Sequence, residues 1–213
     1  MEREKLRHIV VEGPVGVGKT SLARRLAQHF GATLMLENAG VNPFLPRFYE
    51  DSRRYALPTQ LFFLFQRAEQ AGELQQLDFF RQPVVADFML EKDPLFARMN
   101  LADDEYALYQ QTYQFLRLQV PAPDLVIYLH APASVLIGRV QRRGIDYETP
   151  ISESYLQRLC DSYARFFLHY TAAPVLMVNN EHLNCIDDAA DFDRLLESIQ
   201  GLQGSRAFLN RGD

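Results

Sequence analysis

Five short apolar segments punctuate the 213-residue chain, and each is bounded by turn-forming or charged residues. Their hydrophobic positions run nearly continuously instead of alternating, which is typical of strands buried on both faces of a parallel sheet. Helical segments separate them, so the pattern predicts an α/β fold, a three-layer αβα sandwich built on a five-stranded parallel sheet. The predicted strands cover residues 8–11, 33–36, 83–87, 125–129 and 174–178.

The segments between these strands repeat their apolar residues at helical spacing. This periodicity predicts amphipathic helices over residues 19–30, 57–76, 103–119 and 154–169. No internal repeat, low-complexity segment or linker interrupts the pattern, and the periodicity is lost from Gly201 onward. We therefore predict a single domain over residues 1–200, followed by a frayed tail over residues 201–213.

Composition and charge narrow the classes of protein to which such a fold could belong. The net charge of −5 does not favour binding to a nucleic-acid polymer. Cys160 and Cys185 lie far apart in the sequence, which argues for a reducing compartment and against a disulfide scaffold or a zinc site. The apolar stretch near the N-terminus is too short for a signal peptide or a membrane span. We expect a cytoplasmic protein whose partners include neither a nucleic-acid polymer nor a membrane.

The stretch EGPVGVGKTS, residues 12–21, lies between the first predicted strand and the first predicted helix and fits the pattern G-x-x-x-x-G-K-[ST]. The glycines let successive N–H groups turn toward a phosphate, and the helix that follows adds its positive end. We expect Lys19 to reach the β and γ phosphates of ATP and the Thr20 hydroxyl to bind Mg²⁺. The residues expected to contact the nucleotide are Gly13, Val15, Gly16, Val17, Gly18, Lys19, Thr20 and Ser21.

Two acidic residues follow predicted strands on the edge of the sheet where a ligand cleft is expected. Glu37 comes directly after the second strand, and Asp87 ends the third. The carboxyl ends of parallel strands face such a cleft. Glu37 could accept a proton from an attacking hydroxyl, or be a solvated strand-end acid. Asp87 could lie beside Mg²⁺ with Thr20, or cap the next helix.

Polar and cationic residues on two helices suggest what else enters the cleft. Gln60 and Arg67 are seven residues apart, so they share a face with apolar neighbours and need partners such as a planar nucleobase, unless Arg67 extends to solvent. Arg139 and Arg143 are four apart and lead into Gly144. They could form an arginine-bearing lid that neutralises charge during phosphoryl transfer, or a basic helix end exposed to solvent.

Taken together these residues resemble the deoxynucleoside kinase family, from the phosphate loop to about Val178, through Glu37, FYED, Gln60, Arg67, the third-strand acid and the RRG lid. The resemblance implies a P-loop kinase that uses ATP and Mg²⁺ to phosphorylate a deoxynucleoside. It implies that Glu37 is the base on the 5′-hydroxyl and that Gln60 reads the nucleobase. It also implies that Arg67 pairs with Asp93 beside a purine or deoxycytidine base, and that Tyr49 and Glu148 hold the sugar 3′-hydroxyl.

Two positions depart from the family pattern. Phe88 follows the third-strand acid where the family usually has an arginine, and Ile145 stands where a further lid arginine is common. Lys92 is the residue that could reach back toward the position left by the first arginine. An arginine at a phosphoryl-transfer site can be worth ~10³ or more in rate. The absence of these two arginines therefore predicts a lower rate of phosphoryl transfer.

Three functions remain open from the sequence. The first is a kinase for a purine deoxynucleoside, with Lys19, Glu37, Arg139 and Arg143 as the catalytic residues. The second is a nucleoside monophosphate kinase, although Glu37 would repel an acceptor that carries a phosphate. The third is a P-loop nucleotide-binding protein without catalysis, which Phe88 and Ile145 favour.

Aromatic residues crowd the helices predicted over residues 57–76 and 103–119. They supply more apolar surface than one sheet face needs, which indicates either packing between two copies of the chain or ordinary core burial. The family resemblance favours a homodimer. The residues concerned are Phe62, Phe63, Phe65, Tyr106, Tyr109, Tyr113 and Phe115.

Overall fold

Six parallel strands form the centre of the protein in a computed structural model that describes residues 6–79, 82–116 and 120–211. The strand order is β2-β3-β1-β4-β5-β6, so the first strand lies near the middle of the sheet. Every neighbouring pair is parallel. The strands are β1 His8–Glu12, β2 Thr33–Met35, β3 Val84–Ala86, β4 Leu125–His130, β5 Val175–Asn179 and β6 Arg206–Leu209.

The predicted five-stranded sheet is therefore one strand short, and the predicted frayed tail is wrong for the residues that form β6. This strand pairs with β5, from Val175 opposite Arg206 to Val178 opposite Leu209. The Arg206 side chain also donates to the carbonyl oxygens of Leu168 and Tyr170, at 2.7 and 3.1 Å. A short edge strand with only one fully buried residue lacks the continuous apolar run on which the other strands were recognised.

Eight α-helices are present in the described part of the chain. Several differ at their ends from the predicted ones: the second long helix begins at Ser52 and continues through Pro58, and the end predicted at residues 117–119 lies outside the described residues. None of the described helices is long and apolar enough to cross a membrane. The helices are α1 Lys19–Phe30, α2 Leu45–Glu50, α3 Ser52–Phe79, α4 Asp93–Asn100, α5 Asp103–Leu116, α6 Ala133–Arg143, α7 Glu153–His169 and α8 Ala189–Gln200.

Alternate strand residues point to opposite faces of the sheet, and the sheet separates two hydrophobic cores. This confirms the three-layer αβα arrangement. On one face Ile127 packs with residues of α1, α6 and α8. On the other, its neighbour Tyr128 packs with residues of α3 and α7 and stacks on Phe167 with ring centroids 4.3 Å apart. A third core, centred on Leu64 and Tyr109, joins α2, α3, α4 and α5 beside the sheet.

Candidate active site

The phosphate loop connects β1 to α1, and its conformation at Gly13 and Gly18 requires glycine. Gly13 has a φ of 151°, and a Cβ atom there would lie 2.2 Å from the carbonyl oxygen of Leu129. Gly18 has a φ of 102° and caps α1 in a left-handed conformation that other residues adopt only with strain. The carbonyl oxygen of Val17 accepts a hydrogen bond of 2.7 Å from the buried Asn180 side chain. The loop is therefore attached to the end of β5 as well as to β1.

Lys19 and Thr20 extend from the first turn of α1 into the cleft. The Lys19 ammonium lies inside the loop and donates to the carbonyl oxygens of Gly13 and Pro14, at 2.7 and 3.2 Å. The Thr20 hydroxyl donates to Asp87 Oδ2 at 2.5 Å. Burial raises the pKa of Asp87, and this hydrogen bond opposes the shift. The Thr20 hydroxyl and the Asp87 carboxylate, which were predicted to lie together, are thus adjacent beside the phosphate loop.

Glu37 follows β2 and lies in the same cleft as the phosphate loop. Its backbone N–H donates to Asp87 Oδ1 at 2.6 Å. Its carboxylate contacts Arg67 through Oε1 and lies 3.4 Å from the Lys92 ammonium through Oε2. Burial raises the pKa of Glu37, but attraction to Arg67, Lys92 and Lys19 outweighs burial and lowers the pKa to about 2. Glu37 is therefore ionised at neutral pH and able to accept a hydrogen bond from a hydroxyl.

Arg67 stands between two acids. One terminal nitrogen contacts Glu37, and the other contacts Asp93 at the start of α4. The Arg67 and Asp93 side chains are buried, so this link replaces solvent for both charges. Burial raises the pKa of Asp93 to about 6, although Arg67 opposes that shift. The structure thus brings together the predicted Arg67–Asp93 pair, and Arg67 does not extend to solvent.

Position 88 carries no cation, because it is occupied by Phe88. A buried cation is supplied by Lys92 instead. Phe88 is buried in the apolar core between the sheet and α7, away from the cleft. Lys92 lies in the turn Leu90–Lys92 with its ammonium 2.8 Å from Glu12 Oε1 and 3.4 Å from Glu37 Oε2. Glu12 was not among the predicted site residues, although Glu12 ends an apolar strand at the carboxyl edge of the sheet, where Glu37 and Asp87 also lie.

One cavity of about 500 Å³ collects nearly all of the predicted site residues. This volume is within the range of small-molecule sites. Gln60 lines the cavity and is only 3% exposed. The predicted residues in the lining are Val15, Gly16, Gly18, Lys19, Thr20, Ser21, Glu37, Tyr49, Gln60, Arg67, Asp87, Arg139, Arg143 and Glu148.

The two predicted lid arginines are held differently. Arg139 in α6 donates to the carbonyl oxygen of Asn180 at 2.7 Å, beside the phosphate loop. Arg143, the last residue of α6, is half-exposed and contacts both carboxylate oxygens of Glu148, one of them at 2.6 Å. Ile145 also lines the cavity and is half-buried. Arg143 therefore contacts the acid that is expected to bind the sugar.

Comparisons with known proteins agree with this arrangement. A sequence model of the deoxynucleoside kinase family matches residues 9–202. The chain is 31% identical over 200 residues to a deoxyguanosine kinase of Bacillus subtilis, with 91% of this chain and 96% of that protein covered. It is 30% identical over 205 residues to a deoxyadenosine kinase of Lactobacillus acidophilus, with 90% and 94% covered.

The fold agrees with a solved structure as well. A deoxyadenosine kinase from M. mycoides, determined with bound dATP, superimposes with a TM-score of 0.77 and 23% sequence identity. The superposition covers 91% of this chain and 99% of the other. The region that matches the family model, residues 9–202, includes the phosphate loop and every cleft residue described above. The chain belongs to the deoxynucleoside kinase family.

Proposed function

We propose that the protein transfers the γ-phosphoryl group of ATP to the 5′-hydroxyl of a purine deoxynucleoside. One observation carries this proposal: the ionised Glu37 carboxylate and the phosphate loop line the same cavity. In the reaction a bond forms between the 5′-oxygen and the γ-phosphorus while the bond from that phosphorus to the β-phosphate oxygen breaks. The hydroxyl proton passes to Glu37, and the products are ADP and the deoxynucleoside 5′-monophosphate.

The residues around Glu37 are suited to hold a nucleoside. Gln60 offers a donor and an acceptor on one amide, which can form two hydrogen bonds to the edge of a base. Tyr49 and Glu148 line the same cavity, and we assign them to the sugar 3′-hydroxyl.

The donor side of the cavity carries the cations. Lys19 lies within the phosphate loop, and Arg139 and Arg143 enter from α6, so the three can neutralise charge on the phosphates. Thr20 and Asp87 are the residues that would hold Mg²⁺, because an adjacent hydroxyl and carboxylate are donors that this ion prefers. Mg²⁺ commonly keeps several water ligands and binds through one or two carboxylates together with phosphate oxygens. Bound there, Mg²⁺ would offset negative charge on the phosphates.

The preference for a purine rests on the Arg67–Asp93 pair and on the relatives. The buried pair adjoins the cavity through Arg67, and Asp93 Oδ2 has no hydrogen-bonding partner among the described residues. Two relatives of similar length are named a deoxyguanosine kinase and a deoxyadenosine kinase. Adenine and guanine can each present donors and acceptors to Gln60 and to this pair. Cytosine can as well, so the choice of a purine over deoxycytidine rests on the two relatives.

A substrate panel tests the proposed reaction. With ATP and Mg²⁺, we expect ADP release with deoxyadenosine, deoxyguanosine or both, at rates well above those with thymidine. Deoxynucleoside monophosphates should give no turnover, because the Glu37 carboxylate would repel an acceptor that already carries a phosphate. The measurement is ADP release in a coupled assay, with the 5′-monophosphate product identified by mass spectrometry.

The same panel separates the two other functions. Turnover with monophosphates alone would replace this proposal with a nucleoside monophosphate kinase. ATP binding without turnover on any acceptor would identify a nucleotide-binding protein that has lost catalysis. Lys19, Thr20, Glu37 and Gln60 together argue against that loss, because the donor and acceptor groups of the cleft are both present.

We further propose that the protein is a homodimer that packs through α3 and α5. Phe63 and Tyr109 are buried in the core between these helices, so ordinary burial accounts for part of their aromatic content. Phe65, Leu108 and Phe115 remain exposed by 51%, 50% and 84%. Three large apolar side chains exposed on two helices that contact each other are typical of a protein–protein interface.

Substitution of the exposed apolar residues tests this interface. The variant L108S/F115S should be monomeric where the unmodified protein is dimeric, because it removes apolar area without touching the core. Phe208→Ser is the matched control, since Phe208 is 64% exposed on β6, and it should leave the mass unchanged. Light scattering coupled to size-exclusion chromatography gives the masses. A monomeric unmodified protein, or a dimeric L108S/F115S variant, would contradict the proposal.

A further inference from the structure

Lys92 is a buried lysine that contacts two carboxylates from different parts of the fold. Only 3% of its side chain is exposed. Its ammonium lies 2.8 Å from Glu12 Oε1, at the end of β1, and 3.4 Å from Glu37 Oε2, after β2. Burial lowers the pKa of Lys92, but Glu12 and Glu37 outweigh burial and raise it above its usual value. Lys92 is therefore a buried positive charge that lies between two carboxylates from different parts of the fold.

Glu12 is itself anchored on the other side. Its side chain is fully buried, and Oε2 accepts hydrogen bonds from the backbone N–H of Gly13, at 2.8 Å, and from the Tyr163 hydroxyl, at 3.0 Å. Gly13 is the first residue of the phosphate loop. Lys92 and Glu12 together thus connect Glu37 to the start of the loop that is proposed to bind the donor.

The second oxygen of Glu37 is held from the opposite direction by Arg67. A glutamate side chain has several rotatable bonds, and contacts at both oxygens restrict it to one orientation. Arg67 links Glu37 to Asp93, on the side proposed for the base, whereas Lys92 links it to the phosphate loop. The Lys92 contact accordingly relates the Glu37 carboxylate to the phosphate loop, whereas the link through Asp87 and Thr20 holds only the backbone N–H of Glu37.

We propose that Lys92 is a positioning residue for phosphoryl transfer, which fixes the Glu37 carboxylate relative to the phosphate loop through its ion pair with Glu12. This inference rests on the proposed role of Glu37. Reacting groups misplaced by about 1 Å can lose ~10²-fold in rate, so the arrangement acts on the chemical step more than on binding. The competing account is that Lys92 only neutralises the buried Glu12 and contributes stability alone.

Lys92→Met removes the charge and keeps most of the side-chain volume. We expect kcat to fall ~10²-fold while the KM values for ATP and the deoxynucleoside change little. Lys92→Arg keeps a cation in place and should recover most of the lost kcat. Arg98→Met is the matched control, because Arg98 lies in the neighbouring α4 on an exposed ion pair with Asp103, and its kcat should equal that of the unmodified protein.

The double variant E12Q/K92M separates positioning from stability. It removes both members of the buried pair, so no uncompensated charge remains between them and most of the thermal stability lost in Lys92→Met should return. Under the proposal kcat stays ~10²-fold low, because Glu37 is still held on one side only. A kcat that returns to normal along with stability would overturn the proposal.

Glu37→Gln, assayed in parallel, keeps this inference distinct from the proposed function. If Glu37→Gln retains near-normal turnover, Glu37 is not the acceptor acid, and the proposed function and this inference fail together. If Glu37→Gln is inactive but Lys92→Met keeps a normal kcat, the inference alone is wrong. If Lys92→Met is too unstable to assay, the other two variants test the inference. Lys92→Arg must then show a kcat near that of the unmodified protein, and E12Q/K92M must show a reduced kcat.

Discussion

Glu37→Gln should reduce kcat by about 10³-fold while leaving deoxynucleoside binding nearly unchanged. The amide keeps the size of the side chain and an oxygen that can accept a hydrogen bond from the 5′-hydroxyl, but it cannot take up the proton. General-base catalysis is worth ~10²–10⁴ in rate. Arg67 and Lys92 keep Glu37 in its ionised form, which is the form that can take up a proton. Steady-state kinetics give kcat, and calorimetric titration with the deoxynucleoside gives the dissociation constant.

The substitution also removes a negative charge between Arg67 and Lys92, so its effect on folding must be measured separately. A thermal unfolding midpoint establishes how much of the variant is folded at the assay temperature, and kcat is expressed per folded molecule. Glu69→Gln is the matched control, because Glu69 is an exposed acid on the same helix as Arg67 and should have no effect on turnover. Near-normal turnover by Glu37→Gln would remove Glu37 as the acceptor of the proton.

Arg67→Met should lower the free energy of unfolding by about 3–5 kcal/mol. The substitution leaves Asp93 buried without its cation and removes one of the two cations on Glu37. A buried charge that loses its partner is far more costly than a surface charge, for which such a change is worth about 0–1 kcal/mol. Urea unfolding followed by circular dichroism gives the free energy, and Arg98→Met should stay within about 0.5 kcal/mol of the unmodified protein.

A second variant shows whether the stability lost in Arg67→Met is lost because Asp93 remains buried without a cation. R67M/D93N replaces Asp93 with an uncharged residue of nearly the same shape, so part of the lost stability should return. The non-additivity of the two substitutions measures the coupling of the pair. If the losses in unfolding free energy caused by the two substitutions simply add, the double variant recovers no stability. That result would contradict the view that Arg67 compensates the charge of Asp93 in the native state.

The parts of the site that the sequence predicts are those with local causes. The phosphate loop is recognisable because the geometry of the loop requires glycine, lysine and threonine at fixed spacing. Glu37 and Asp87 are recognisable because each follows an apolar strand, and the ends of parallel strands share one edge. Gln60 and Arg67 stand out because polar residues on an apolar helix face need partners.

The parts that the sequence does not predict depend on contacts between distant segments. Glu12 and Lys92 form an ion pair only because β1 and the turn before α4 meet in the folded chain, and no local pattern marks the pairing. The bond from Asn180 to the phosphate loop has the same origin. Strand β6 was missed because an edge strand with little burial carries a weak apolar pattern, and its pairing with β5 stabilises what sequence alone indicates as a tail.

A crystal structure with a non-hydrolysable ATP analogue and a purine deoxynucleoside is the most direct test of the proposed reaction. It should show the triphosphate against residues 13–20 and the 5′-oxygen of the nucleoside within hydrogen-bonding distance of the Glu37 carboxylate, with the base against Gln60. A structure in which the triphosphate is bound but Glu37 points to solvent, with no nucleoside between them, would contradict the central claim.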